Sequence, residues 1–199
     1  MSTPTALVLA SASPRRRELL AAHGIACVVD PSSVPEAPRP DEAAADFAAR
    51  VAREKAGEVA PRHPHAHILG ADTVVVVDGA VFGKPADADD ARRMLRILAG
   101  RTHQVLTAVA LVTPSGDVDA FVVTSEVEFR PLSEDDITAY LATGEPFDKA
   151  GAYAVQGHGG AFVTAVRGSY SNVVGLPMDE VRALLALRLG DTPAAEARP

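Results

Sequence analysis

Apolar residues in this chain come in short runs broken by turn-forming residues, and their spacing alternates between strand-like and helix-like periods. Leu7 to Ala10 is a continuous apolar run that reads as a buried strand. It stops at Ser11-Ala12-Ser13, and Pro14 then sets φ as the first residue of a helix requires. The pattern predicts a helix to Ala22 with Ser13 as its N-cap and His23-Gly24 as its end. Ala26 to Val29 reads as a short strand. Asp30 to Pro40 carries four prolines and reads as a loop, with Glu36 in its middle. A helix follows from about Asp41 to Val59. Its residues Ala43, Phe47, Val51 and Lys55 share one face, so Lys55 extends an otherwise apolar stripe.

The next run, Ile68 to Val77, predicts a strand with an interruption at Asp72, continuing through an Asp78-Gly79 hairpin turn into Ala80 to Phe82. Asp87 caps a helix to about Leu98, which Gly100 closes. His103 to Thr113 and Val118 to Phe129 read as an antiparallel pair around the turn at residues 114–117. On the return strand Val123, Ser125, Val127 and Phe129 take one face, and Glu126, Glu128 and Arg130 the other. Ser133, with Asp136 three residues on, opens a helix to about Ala142. Ala161 to Val166 and Ser171 to Val174 read as strands. Pro177 opens a last helix ending near Gly190, and residues 191–199 read as a disordered tail. Hairpins mixed with crossovers predict an α/β fold with a mixed sheet and flanking helices, formed by residues 1–190 as one domain.

Composition narrows the function classes. Hydrophobic residues make up 47% of 199, ample for a core, while aromatics are 5% and Trp is absent. The core must therefore be built from small and β-branched side chains. A net charge of −7 disfavours a protein that coats nucleic acid, yet it leaves room for a basic pocket suited to a small anion. The single Cys27 allows no internal disulfide and fits a reducing compartment. No run approaches membrane-spanning length, and Met1 to Ala12 lacks a signal peptide's charged start and long apolar region. The expectation is a soluble, cytoplasmic protein with neither membrane nor nucleic-acid partner.

The candidate chemistry lies where charge breaks these patterns. Arg15, Arg16 and Arg17 fall in the first turn of a helix, where cations oppose the helix dipole. They suit that place if an anion such as a polyphosphate binds there; a solvated arginine-rich turn is the other reading. Asp72 is a carboxylate inside an apolar run, costly to bury unless paired or functional. Glu36, Lys55, Lys84, Asp148 and Lys149 complete the set, and a glycine-dense stretch follows to Gly160. His63, His65 and His67 alternate, but no second ligand pair lies nearby and two prolines mark a surface loop, so a metal site is rejected. No covalent nucleophile and no Walker-type loop is present. By elimination, metal-assisted attack of water on an activated phosphate fits best.

Seven motifs occur in order: Ser11-Ala12-Ser13-Pro14-Arg15-Arg16, Arg53-Glu54-Lys55-Ala56, Gly70-Ala71-Asp72-Thr73-Val74, Gly83-Lys84-Pro85, Asp148 to Tyr153, Gln156-Gly157 and Gly168 to Pro177. With them the chain from about 7 to 189 closely resembles the Maf family of nucleoside triphosphate pyrophosphatases. The resemblance implies a Maf/ITPase-like fold: a mixed, twisted sheet around a deep central cleft. It also implies cleavage of a nucleoside triphosphate between the α and β phosphates, with a divalent cation, Mg²⁺ or Mn²⁺, as cofactor. By position, Asp72 would be the general base. Ser13, Arg15, Arg16, Lys55 and Lys84 would hold the triphosphate, and Glu36 and Asp72 would serve the metal. Arg15, Thr73 and Gln156 match positions linked to substrate choice, in the manner of the branch acting on dTTP and UTP. Pro35 departs from the acidic residue that many members carry there. Members often form homodimers. A non-enzymatic nucleotide-binding regulator of septum formation is the second reading; it would have no use for a carboxylate in mid-strand.

Overall fold

The computed structural model describes residues 6–190; the expected tail at 191–199 lies outside the described residues. The elements are β1 (Leu7–Leu9), α1 (Pro14–Ala22), β2 (Val28–Val29), α2 (Ala44–Val59), β3 (His67–Val77), β4 (Ala80–Phe82), α3 (Ala88–Leu98), β5 (Thr102–Val112), β6 (Val118–Phe129), α4 (Glu134–Leu141), β7 (Val163–Arg167), α5 (Tyr170–Val174) and α6 (Met178–Leu189). The strands form one seven-stranded sheet in the order β2-β1-β3-β5-β6-β7, with β4 beside β3. β1 runs parallel to β2 and β3, whereas all the other pairs are antiparallel. The expected mixed sheet is therefore the one observed.

Strand alternation sorts the core into layers. Ile68, Val74 and Val76 of β3 meet Phe47, Val51, Ala52 and Ala56 of α2 on one face of the sheet. Leu69 and Ala71 face the other way, onto Leu20 of α1 and Val181 and Leu185 of α6. Further along that side, Val75 and Val77 pack with Leu95 of α3 and Ile137 of α4. The small residues of α2 bring it unusually close to the sheet. A Cβ on Gly70 would collide with the Ala52 carbonyl oxygen and lie 2.8 Å from the Ala56 nitrogen, so only glycine fits.

Several local readings are corrected. Ser171–Val174 lies in the short helix α5, because Ser169 accepts a capping bond from the Asn172 backbone N–H at 3.2 Å. The Asn172 side chain, fully buried, donates to Val105 O and Ser125 Oγ, so tertiary contacts override the β-branched pair after it. Asp72 does not interrupt its strand; β3 runs unbroken through it. Helix α2 begins at Ala44, and Ala43 stands exposed at its N-cap instead of on the buried face. Of Ala26 to Val29 only Val28–Val29 pairs, and residues 158–162 form a 3₁₀ turn ahead of β7. No helix among the described residues is long and apolar enough to cross a membrane.

Candidate active site

One edge of β3 is incompletely covered. β1 pairs with His67–Leu69 and β4 with Val75–Val77, so residues 70–74 between them have β5 on one edge and, among the described residues, no strand on the other. A cleft of about 760 Å³ opens in that fork. Ser13, Arg15, Arg16, Glu36, Lys55, Asp72, Thr73, Lys84, Asp148, Lys149 and Gln156 all line it, so every candidate picked from the sequence except Arg17 arrives in one place. The cleft holds five cations against three carboxylates, a local excess of positive charge on an acidic protein.

The alternation of β3 sends Asp72 and Thr73 to opposite faces. Asp72 turns towards α2, where Lys55 lies one turn beyond Val51. Lys55 Nζ donates to Asp72 Oδ1 at 2.7 Å, and both side chains are 7% exposed. The same Nζ lies 2.6 Å from Glu36 Oε1, and Glu36 Oε2 accepts from Lys84 at 2.8 Å. Four charges thus alternate in a row from the sheet to the cleft mouth. Burial pushes the Asp72 carboxyl above its ordinary value, against the pull of Lys55 and Arg16. Desolvation pushes Glu36 upwards too, but Lys55 and Lys84 together outweigh it and bring it down to about 2. The two carboxylates are therefore set apart in basicity, and Asp72 is the better proton acceptor.

Thr73 turns towards α1, and Arg16 meets it there. Arg16 is buried, and its Nη2 donates to Thr73 Oγ1 at 3.0 Å. Nη1 reaches Ser11 Oγ at 3.0 Å and the Ala71 carbonyl at 2.9 Å, and Nε reaches the Gly175 carbonyl at 2.9 Å. Four of the five guanidinium N–H groups are thus engaged within the protein, one of them on the uncovered edge of β3. Thr73 Oγ1 lies 3.0 Å from Thr107 Oγ1, which donates onward to the Asn172 carbonyl. Ser13 caps α1 by accepting from the Arg16 N–H at 3.5 Å. Arg15, half-buried on the cleft wall, makes no ion pair with a described residue.

The facing wall comes from loops. The Gly151 N–H donates to the Gly83 carbonyl at 3.0 Å and so joins the loop of Lys84 to the segment of Asp148 and Lys149. Lys149 Nζ donates to the Glu145 carbonyl at 2.8 Å and to Asp148. Gln156 is exposed to the cleft. Phe147 also lines this wall at 40% exposure, and nothing in the sequence pattern singled it out. Glu145, just behind the wall, was equally unmarked.

Among the described residues no three His, Cys, Asp or Glu side chains come together as a metal cage. Asp72 and Glu36 offer hard oxygen donors on either side of one ammonium group. Such a pair fits a hard divalent cation that keeps water and takes its remaining ligands from phosphate.

The family model described as Maf-like protein matches residues 6–188. The chain belongs to the Maf family. Among its relatives, a dTTP/UTP pyrophosphatase of Anaeromyxobacter dehalogenans is 56% identical over 183 residues, covering 90% of this chain and 92% of the relative. One of the same name from Geobacter metallireducens is 52% identical over 176 residues, covering 88% and 92%. Among solved structures, the Staphylococcus aureus Ham1 protein aligns with a TM-score of 0.50 at 12% identity over 91% of this chain and 98% of that one. That likeness concerns the fold alone. This Maf-family chain thus combines a Ham1-like sheet with a cleft at the uncovered edge of β3.

Proposed function

We propose that this protein hydrolyses dTTP and UTP to the nucleoside monophosphate and pyrophosphate. The reading rests on the buried Asp72 carboxylate: Lys55 holds one of its oxygens, and the other has no partner among the described residues. Water hydrogen-bonded to the open oxygen gives its proton to Asp72 as its oxygen bonds to the α-phosphorus. The bond from that phosphorus to the α–β bridging oxygen breaks, and pyrophosphate leaves with the electron pair. Arg15, Ser13, Lys84 and Lys55, all lining the cleft, would take the triphosphate and its developing charge, where fixed cations act more strongly than in water. Arg16 keeps one N–H for the ligand and otherwise holds Thr73 and the edge of β3 in place. Asp72 and Glu36 would hold Mg²⁺ or Mn²⁺, which, when bound, neutralises phosphate charge. Gln156 both donates and accepts, as the imide edge of uracil or thymine requires. The names of relatives more than half identical support the same substrates.

The test is product analysis with Mg²⁺ or Mn²⁺ across dTTP, UTP, CTP, GTP and ATP, assaying pyrophosphate and orthophosphate separately. The expected products are pyrophosphate with dTMP or UMP. Orthophosphate with a diphosphate would move the cleavage site and overturn the mechanism. Tight binding of every nucleotide without turnover would return the protein to the regulator reading.

A further inference from the structure

The wall that carries Gln156 is irregular, and Tyr140 of α4 stands behind it, its hydroxyl accepting from the Ala154 N–H at 3.3 Å. Gly157, the residue after Gln156, has φ of 124°, and a 3₁₀ turn runs from His158 to Phe162. A segment of this kind needs outside partners to hold one conformation, and past Gln156 that partner is Glu145. Its Oε1 accepts from the Tyr140 hydroxyl at 2.8 Å and the Gly159 N–H at 3.1 Å. Its Oε2 accepts from the His158 N–H at 3.0 Å and from His158 Nδ1 at 3.1 Å. The Glu145 side chain is 16% exposed. Gly157 lies so close over it that a Cβ there would stand 2.6 Å from Oε2. Desolvation pushes this carboxyl up, but the convergent N–H and O–H donors outweigh it and bring it down to about 2, so it is ionised at any working pH.

Glu145 also belongs to the other part of the same wall. It begins the short 3₁₀ turn Glu145–Asp148 that carries Phe147, and its backbone carbonyl accepts from Lys149. A single residue therefore ties the segment of Phe147 and Lys149 to the segment of Gln156. It does not itself line the cleft.

We propose that Glu145 is a positioning residue for the nucleoside end of the cleft, its carboxylate fixing the Gly157–Gly159 backbone so that the Gln156 amide is held ready for the base. The proposal rests on the nucleotide reading above. A carboxylate is the required group because four donors converge on it. An amide in its place turns an N–H₂ group onto donors and loses at least one bond.

The test compares Glu145→Gln and Tyr140→Phe with the wild-type chain, using UTP as substrate and inorganic tripolyphosphate as an inhibitor that has phosphates but no nucleoside. Glu145→Gln is expected to raise KM for UTP about tenfold and leave kcat within about twofold. The inhibition constant of tripolyphosphate should stay within about twofold of wild type. Amide hydrogen exchange at residues 157–159 should speed up by about tenfold. Tyr140→Phe keeps the charge but removes one of the four bonds and also the acceptor of the Ala154 N–H at 3.3 Å, so it should show the same pattern at about two- to threefold, with faster exchange at Ala154 as well as at residues 157–159. It carries the test if Glu145→Gln does not fold. Unchanged KM in the folded variants, or KM and the tripolyphosphate constant rising together, would overturn the positioning role. Failure of the wild-type chain to cleave UTP or dTTP would instead sink the nucleotide reading itself.

Discussion

Lys55 Nζ donates to one oxygen of Asp72, at 2.7 Å, and leaves the other without a hydrogen-bond partner among the described residues, in a side chain that lines the cleft. Asp72→Asn preserves the shape and the bond to Lys55 but removes the proton acceptor. Turnover should fall by about 10²- to 10⁴-fold, the usual worth of a positioned base. Affinity for a non-hydrolysable nucleotide, measured by calorimetry, should change by no more than a few-fold. Turnover within tenfold of wild type would mean that Asp72 is not the base.

Removing the other partner has a different cost. Lys55→Met leaves Asp72 buried without its closest opposite charge, and such a loss costs about 3–5 kcal/mol. Urea unfolding should show that destabilisation. The double variant Lys55→Met/Asp72→Asn should be more stable than the sum of the single effects predicts, because it strands no charge.

Arg16→Lys keeps the charge but cannot reproduce a planar fork with donors to Thr73, Ser11, Ala71 and Gly175. A destabilisation of about 2–4 kcal/mol is expected from the buried acceptors left unpaired. It should appear in the urea midpoint of the ligand-free protein. A variant as stable as wild type would show that this network contributes little to the fold.

His103 predicts a pH effect on stability. Its Nε2 lies 2.7 Å from the Tyr153 hydroxyl in an aromatic cluster with Phe129, and burial pulls the imidazole down to about 4. The unfolded chain takes up the proton first as pH falls, from about 6.5. The stability that depends on neutral His103 is therefore complete above about pH 6.5 and is lost as pH falls towards 4. Between pH 7 and pH 5 the loss should be about 2 kcal/mol in excess of that in a His103→Gln variant. Equal slopes in the two proteins would refute the assignment.

Much of this structure was legible because local signals and tertiary packing agree. Ser13, Asp87 and Ser133 cap the helices that their spacing announced, and Ser133 with Asp136 forms a full capping box. Asp72 stood out as a carboxylate among valines, and its answer on α2 was visible as a lysine ending an apolar stripe. That the two meet required knowing which face of β3 lies against α2. Ser171–Val174 misled because its β-branched pair masks the local Ser169 cap, and because Asn172 is held by Val105 and Ser125, far away in sequence. Glu145 was invisible for another reason: two of its bonds go to backbone amides at His158 and Gly159, and backbone donors leave no mark in a pattern of side chains.

Gly70 has a consequence for how this cleft can vary. With the backbones of α2 and β3 in contact there, a slide of one residue along the helix, about 1.5 Å, would part Lys55 from Asp72. The spacing of ammonium and carboxylate is thus a main-chain dimension, beyond the reach of side-chain changes elsewhere in the core. Adjustment to a different base or a bulkier nucleotide would fall to the segment of Phe147 and Gln156 opposite, which carries neither Lys55 nor Asp72.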